Sequence, residues 1–158
     1  MRGANKGFTL IELLITLVIA AILVTVAVPN FSGLVQNNRL ITQTNNLIAD
    51  LNFARSEAIK RKTAIEITAP DGDWNSGWQV QLSGAAENDF LRRSPASLEG
   101  ISINTADGSS LTFGKTGFAS NATTTFTVCD PRGDDYGRVI TIEGTGRVAI
   151  AHQDASCG

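Results

Sequence analysis

One carboxylate near the start of the chain lies inside an apolar run, where it could form an ion pair with another copy. The run extends from Phe8 to Val28, which is about the length that spans a bilayer as one helix. Glu12 is its only ionisable residue, and a bare carboxylate in hydrocarbon costs a few kcal/mol. Cleavage between Gly7 and Phe8 would give Phe8 a free ammonium group. That group could neutralise Glu12 of a neighbouring copy, an arrangement that makes sense only in an assembly.

Cysteine and histidine, which serve most metal and nucleophilic sites, are scarce in this sequence. Cys129 and Cys157 are expected to pair in an oxidising compartment, which would stabilise the fold by roughly 3–4 kcal/mol in the chain-entropy treatment. Metal binding is the weaker interpretation, because two cysteines and His152 do not give four well-spaced ligands. His152 also lacks a Ser or Cys partner in a recognisable motif, and no glycine-rich phosphate loop occurs. The chain is therefore predicted to be a non-enzyme without cofactor or metal.

The segment 71–75 (Asp-Gly-Asp-Trp-Asn) has the alternating oxygen ligands that begin a calcium loop. Leu82 stands where a bidentate Glu would close such a site, so a turn is the preferred interpretation. Trp74 and Trp78 could form a sugar or base platform. Trp78 lies in an alternating segment and is predicted to be in the core, whereas Trp74 is predicted to be exposed in the turn.

The distribution of charge predicts the compartment. The chain has 13 Lys and Arg residues, two of which precede Pro29, and 15 Asp and Glu residues, one of which precedes it. The part beyond Pro29 therefore has 11 basic and 14 acidic residues, a formal charge of −3. Arg2 and Lys6 come before the apolar run, so the positive-inside rule keeps the N-terminus in the cytoplasm and places everything after Pro29 in the periplasm or outside. A globally acidic domain does not attract nucleic acid by its overall field, although a local basic patch is left open.

Beyond Pro29 the apolar residues keep a helical spacing as far as residue 62. They are Leu40, Ile41, Leu47, Ile48, Leu51, Ala54 and Ala58, with Asn and Gln on much of the other side. This pattern predicts an amphipathic helix that packs one stripe against a globular domain. Pro29 itself is expected to kink the helix or melt it locally. Arg55, Lys60, Arg61 and Lys62 favour a solvated helix end, where cations complement the macrodipole.

From residue 63 the sequence changes to short alternating segments separated by turns, which predicts a β-rich head. The predicted strands are 64–67, 78–82, 90–93, 101–104, 111–113, 124–129, 138–142 and 147–151, with exposed loops at 85–89 and 119–123. The segment 144–146 (Gly-Thr-Gly) is expected to join the last two strands as a hairpin. Strands at this spacing without intervening helices indicate largely antiparallel sheets, so the predicted fold class is α+β.

The N-terminal segment resembles the class III leader of type IV pilins and pseudopilins, which is short and basic, ends in glycine and precedes Phe-Thr-Leu-Ile-Glu. The resemblance implies cleavage after Gly7 and N-methylation of Phe8 by a prepilin peptidase on the cytoplasmic membrane face. An ordinary secretory signal would have a shorter apolar core with small residues at a cleavage site beyond it. A plain membrane anchor would explain the length of the run but gives Glu12 no purpose.

The rest of the chain resembles the GspH/FimT (FimU) family of minor pilins and pseudopilins. The resemblance is carried by Asn38-Arg39-Leu40, by the run from Leu51 to Arg61, and by Gly77-Trp78, Val128-Cys129-Asp130 and Gly146-Arg147-Val148. It implies the pilin fold, in which the second half of a long N-terminal helix packs on β-sheets. It also implies a low-abundance subunit, in a priming complex near the tip of a type IV pilus or of a type II secretion pseudopilus. Its partners would be other major or minor pilins or pseudopilins.

Some FimT-like members bind DNA through a C-terminal Gly-Arg-x-Arg motif during natural transformation. The matching residues here are Gly146, Arg147, Val148 and Ala149, so the second arginine is missing. Arg132, Arg138 and Arg147 could still contact phosphates, but acidic residues lie among them and no single electropositive stripe is evident. Direct DNA binding is therefore disfavoured.

Together these observations divide the chain into a leader (1–7), a transmembrane and filament-core helix (8–28), an amphipathic helical half (29–62) and a β-rich head (63–158). The chain is expected to cross the cell inner membrane once, with its C-terminal domain in the periplasm, before it enters a filament. The leading hypothesis is a minor pilin or pseudopilin that primes and joins the tip complex of a type IV pilus. The alternatives are a GspH-type pseudopilin of a type II secretion system and a DNA-binding minor pilin for natural transformation.

Overall fold

The computed structural model describes residues 7–86, 89–151 and 155–157. The predicted leader before Gly7, part of the predicted loop 85–89, and His152 therefore lie outside the described residues. The chain divides into two compact units, here called the N-terminal unit (Met1–Val35) and the head unit (Gln36–Gly158).

One long helix, α1, runs from Leu10 to Arg61. The sequence predicts that the proline at residue 29 either kinks this helix or melts it locally. The backbone is helical through residue 29, so local melting is not seen there. Lys62 ends the helix in the left-handed conformation with φ 55°, and the N–H of Thr63 donates to the carbonyl of Ala58 over 3.3 Å. This combination closes the last turn as a Schellman cap does. Over the part of the chain that the structure describes, no helix has the length and apolar character needed to cross a membrane.

The described residues form two four-stranded antiparallel sheets. The first has the order β3-β2-β1-β5, with β1 at Ile65–Thr68, β2 at Trp78–Leu82, β3 at Phe90–Ser94 and β5 at Ser110–Phe113. The second has the order β4-β6-β7-β8, with β4 at Ser102–Thr105, β6 at Thr123–Cys129, β7 at Arg138–Glu143 and β8 at Val148–Ala151. The eight predicted strands are confirmed with small shifts at their ends, and so is the hairpin between the last two.

One stripe of α1 and the inward faces of the strands form a single hydrophobic core. The stripe consists of Leu40, Leu47, Leu51, Ala54 and Ala58, all fully buried. Buried and half-buried residues alternate along β1 and β6, so Ile65, Ile67, Phe126 and Val128 point into the core. The predicted α+β fold, with an amphipathic helix packed on antiparallel sheets, is confirmed.

The prediction that Trp74 is exposed is wrong, because a short 3₁₀ helix at Trp74–Ser76 turns the indole inward. Only 3% of Trp74 is exposed, and its ring lies edge-on to Phe126 with 4.7 Å between the ring centroids. Its Nε1 donates to the carbonyl of Gly108 over 3.1 Å. Asp73 caps this helix, since its Oδ1 accepts the backbone N–H of Asn75 at 2.9 Å. Segment 71–75 thus forms the predicted turn.

Candidate functional site

The first turn of α1 contains the carboxylate that the sequence singles out for assembly. The backbone N–H of Glu12 donates to the hydroxyl of Thr9 over 3.3 Å, which caps the start of the helix. The carboxylate of Glu12 is exposed and makes no hydrogen bond or ion pair with any described residue. Around it the apolar side chains are also exposed, by 76% for Phe8, 82% for Leu10 and 63% for Ile11. A free carboxylate and a free apolar surface therefore occur on the same turn.

Thr9 and Glu12 also have the spacing of a capping box, a local role that the sequence reasoning missed. An acidic residue in the first turn complements the helix dipole as well, which is worth about 0.3–1 kcal/mol at an exposed site. A capping box has two reciprocal hydrogen bonds, and the one observed here joins the backbone N–H of Glu12 to the hydroxyl of Thr9. Capping and assembly are thus compatible, because capping leaves the carboxylate available for another partner.

A disulfide joins Cys129 to Cys157, as predicted, with 5.7 Å between their Cα atoms. It fastens the segment 155–157 to the end of β6. Asp134 Oδ1 accepts the backbone N–H of Cys157 at 2.7 Å. Gly137 allows this docking, because a Cβ at that position would lie 2.3 Å from the Cβ of Ala155. Three contacts therefore attach this segment to the rest of the head unit: the disulfide, the hydrogen bond to Asp134 and the close packing of Ala155 on Gly137.

We expect the variant Cys157→Ala to lower the free energy of unfolding of a head-unit fragment by roughly 3–4 kcal/mol, because the unfolded chain regains the entropy of a loop that spans a sequence separation of 28. Urea denaturation, monitored by tryptophan fluorescence, measures the loss. Reduction of the wild-type fragment should give the same decrease, which controls for the removed side chain. Equal stability of the oxidised and reduced wild type would contradict the prediction.

Arg132, one of the three arginines considered for DNA, is held inside the head unit. Its Nε donates to the two carboxylate oxygens of Asp130 at 3.1 and 2.9 Å, and its guanidinium carbon lies 4.1 Å from the centre of the Tyr136 ring. Burial works against the charged form of Asp130, but the hydrogen bonds and charge of Arg132 outweigh it and lower the pKa of Asp130. The hydrogen bond to Asp130 raises the pKa of Arg132 in turn. Arg132 is therefore already paired.

Arg138 and Arg147 lie at opposite ends of β7. Arg138 is the first residue of β7. Arg147 lies beside the last residue of β7, Glu143, because the carbonyl of Arg147 accepts the N–H of Glu143 over 3.0 Å. Five steps along an extended strand separate the two positions by about 17 Å. The Arg147 side chain is 70% exposed, and its Nη1 lies 4.0 Å from Oε1 of Glu143. The structure thus does not bring the three arginines together.

The cations at the C-terminal end of α1 differ in their surroundings. Lys60 Nζ lies 3.3 Å from Oε1 of Glu57, and Arg61 pairs with the other oxygen of the same carboxylate. The hydrogen bond from Arg61, with help from Lys60, lowers the pKa of Glu57 against the effect of burial. The side chains of Lys60 and Arg61 are 76% and 45% exposed, which confirms the predicted solvated helix end for these two residues, whereas the carboxylate of Glu57 that they share is only 10% exposed.

Arg55 departs from that prediction, because it clamps two turns of the head unit to the helix. Its Nε donates to the carbonyl of Gly117 over 3.2 Å, and its Nη2 donates to the carbonyl of Thr145 over 3.1 Å. The first carbonyl belongs to the turn after β5 and the second to the turn between β7 and β8. Sequence reasoning missed this role, since the partners are 62 and 90 residues away along the chain.

The glycines of these two turns make the close packing around Arg55 feasible. Gly146 has φ 76°, and a Cβ there would lie 2.0 Å from the carbonyl oxygen of Gly117 and 2.8 Å from Nε of Arg55. Gly117 has φ 82°, and a Cβ there would lie 2.7 Å from Cδ1 of Ile59. Both residues thus need the conformational freedom and the missing side chain of glycine. Gly146 of the partial Gly-Arg-x-Arg match has a structural role in this junction.

A buried carboxylate ties α1 to the first sheet. Asp50 is 4% exposed, and its Oδ2 accepts the indole N–H of Trp78 at 2.9 Å and the hydroxyl of Ser94. Its Oδ1 accepts Nη1 of Arg92 at 2.8 Å, while the guanidinium carbon of Arg92 lies 4.1 Å from the centre of the Phe53 ring. This cluster crosses from the helix to β2 and β3, and three donors satisfy the buried charge.

Comparisons with known proteins agree with this arrangement. The family model described as type II transport protein GspH matches residues 43–146, a range that includes Asp50, Arg55 and Gly146. The chain belongs to the GspH family. A second model, described as the prokaryotic N-terminal methylation motif, matches residues 2–28. The chain is therefore a pilin-like minor pilin or pseudopilin that assembles with other pilins or pseudopilins, and such proteins are structural subunits, not enzymes.

Solved structures of one pilin are similar to the chain. A crystal structure of the type IV minor pilin FimU from Pseudomonas aeruginosa has a TM-score of 0.65 and 29% identity, covering 72% of this chain and 89% of FimU. A second crystal form of FimU has a TM-score of 0.61 and 29% identity, covering 70% of this chain and 90% of FimU. A search of curated proteins found no match. The likeness to FimU confirms the predicted pilin fold.

Proposed function

We infer that this GspH-family chain is a minor pilin that primes and joins the tip complex of a type IV pilus after cleavage between Gly7 and Phe8 and N-methylation of Phe8. The observation that carries this proposal is the match of residues 2–28 to the N-terminal methylation motif. The pilus is preferred to a type II secretion pseudopilus because the similar solved structures are of FimU, a type IV minor pilin. The family description, type II transport protein, keeps the pseudopilus as the alternative.

In this proposal the precursor crosses the inner membrane once through residues 8–28, with the head in the periplasm. Arg2 and Lys6 precede the apolar run and keep its start in the cytoplasm. The disulfide between Cys129 and Cys157 suits an oxidising compartment. The apolar side chains of the N-terminal unit are covered first by lipid and then by the helices of neighbouring subunits.

The geometry of Glu12 supports a role in assembly. Its carboxylate is exposed in a turn whose apolar side chains are also exposed. Once lipid or neighbouring helices cover this surface, the carboxylate needs a counter-charge. The methylated ammonium of Phe8 on the next subunit supplies one. A subunit that retains Glu12 can therefore receive a neighbour's N-terminus.

Glu12→Leu should enter the membrane at least as well as wild type, because the change removes a charge from hydrocarbon. Incorporation into filaments should nevertheless fall at least roughly tenfold, since the neighbour's ammonium group loses its partner. Immunoblots of sheared filaments and of membranes measure the two quantities. Thr16→Leu is the matched control, because it removes a polar group whose hydroxyl donates to the carbonyl of Leu13 in the same turn.

Mass spectrometry of the extracted proteins completes the test. A mature terminus at N-methylated Phe8 is expected in wild type and in both variants. A terminus at Met1 would contradict the proposed processing, and normal incorporation of Glu12→Leu would contradict the ion pair. Presence of the chain in sheared pili, with secretion unaffected by its deletion, distinguishes a pilus subunit from a secretion pseudopilin.

A further inference from the structure

Two exposed apolar side chains of the head unit lie at one place. Among its described residues, Phe118 and Ile59 are the most exposed large apolar side chains, at 57% and 48%. Gly117 precedes Phe118 and packs against Ile59, since a Cβ on this glycine would lie 2.7 Å from Cδ1 of Ile59. Exposed apolar residues scattered singly are ordinary, whereas contiguous ones are typical of interaction surfaces.

The backbone around Phe118 is fixed before any partner arrives. Its carbonyl accepts the N–H of Gly114 at 2.8 Å, and the N–H of the next residue, Ala119, donates to the carbonyl of Gly144 over 3.0 Å. Arg55 holds the carbonyl of Gly117 from the helix side. Because this backbone is ordered beforehand, binding through Phe118 need not pay the entropy of ordering the turn, which favours Phe118 as an anchor.

Two cations belong to the turns that carry this apolar centre. Lys115 is exposed and lies in the same turn, which is closed by the hydrogen bond from Gly117 N–H to the Gly114 carbonyl at 2.7 Å. Arg147 joins from the neighbouring hairpin, whose Gly146 packs directly on Gly117, and its side chain is 70% exposed. Its 4.0 Å pair with Glu143, itself 47% exposed, is weak. The two cations outnumber this one carboxylate, whereas the part of the chain beyond Pro29 is acidic, with a formal charge of −3.

We propose that the surface formed by Ile59, Phe118, Lys115 and Arg147, the Phe118 patch, docks the head of a neighbouring filament subunit through an apolar side chain rimmed by carboxylates. This inference rests on the proposed function, which supplies the neighbouring subunit. An apolar centre with a charged rim is the anatomy of a protein interface. A neighbouring head that shares the acidic balance of this one would be attracted to the patch. Ile59 offers nothing to a phosphate backbone, so DNA fits the patch less well.

The test places a photo-crosslinking residue at position 118 of the full chain. The experiment is done in cells that assemble the filament. Adducts are identified by mass spectrometry in both membranes and sheared filaments. We expect an adduct to another pilin or pseudopilin head, at a segment that contains acidic residues. Adding Lys115→Glu should lower its yield at least roughly fivefold. Arg93→Glu, which reverses an exposed cation on β3, is the matched control and should leave the yield unchanged.

The outcomes separate this inference from the function on which it rests. A chain that enters filaments but gives no subunit adduct from position 118 would overturn the Phe118 patch alone. An adduct to a subunit in membranes, without entry into filaments, would support the patch while the proposed function fails. Adducts to DNA, or a subunit adduct whose yield is the same with Lys115→Glu, would also overturn the patch.

Discussion

Gly146→Ala should lower the free energy of unfolding of the head unit by about 3 kcal/mol or more. A left-handed backbone costs a residue with a side chain about 1–2 kcal/mol. The new Cβ would also lie 2.0 Å from the Gly117 carbonyl oxygen and 2.8 Å from Nε of Arg55, so the two turns must separate and the Arg55 clamp must weaken. Urea denaturation of the head unit measures the loss.

Gly72→Ala is the matched control, because Gly72 has the same φ of 76° and a Cβ there meets nothing within 4 Å. It should cost only the backbone term, about 1–2 kcal/mol. Arg147→Ala should change stability by less than about 0.5 kcal/mol, since its side chain is 70% exposed. Equal costs for Gly146→Ala and Gly72→Ala would refute the proposed close packing. Because Gly146→Ala is expected to destabilise the head unit, a functional defect of this variant is not by itself evidence for DNA binding. The comparison with Arg147→Ala, which should leave stability nearly unchanged, separates the two causes.

Asp50→Ala should destabilise the head unit by about 3–5 kcal/mol, because it removes three hydrogen bonds to a charged acceptor and leaves the indole N–H of Trp78 buried and unpaired. Asp50→Asn should cost less, since the amide keeps the shape and one acceptor oxygen. Chemical denaturation of the head unit again gives the free energies.

The control for Asp50 is Glu99→Ala, which breaks an ion pair at the surface. Glu99 Oε2 lies 3.7 Å from Nη1 of Arg39, with its side chain 92% exposed, so its removal should cost less than about 0.5 kcal/mol. A loss for Asp50→Ala within about 1 kcal/mol of that for Glu99→Ala would show that the buried cluster contributes little.

The elements of the fold were predictable because their signals are local. The stripe from Leu40 to Ala58 repeats at the helical period, and β1 and β6 alternate buried and half-buried residues as sequence alternation indicates. The cysteine pair was predictable for a different reason, since only two cysteines are present.

The residues that join these elements were not predictable, because their partners are distant in sequence. Asp50 meets Trp78, Arg92 and Ser94 at separations of 28, 42 and 44 residues, and nothing in its own helical segment distinguishes it from a solvated carboxylate. The burial of Trp74 depends on a 3₁₀ turn whose direction a turn signal alone does not give. The apolar run around Glu12 distinguishes this carboxylate in the sequence, whereas its capping bond to Thr9 depends on the conformation of the first turn.

Asp50 and Arg55 have a mechanical consequence for a subunit under tension. Both side chains attach α1 to other parts of the head, one to β2 and β3 and the other to two turns, while the apolar stripe between Leu40 and Ala58 adheres along the same stretch. A force that pulls the helix along its axis loads all these attachments in parallel, so they must yield together. A force that peels an edge strand such as β8 breaks its hydrogen bonds one after another. Extraction of α1 should therefore be the harder way to dismantle the head under load.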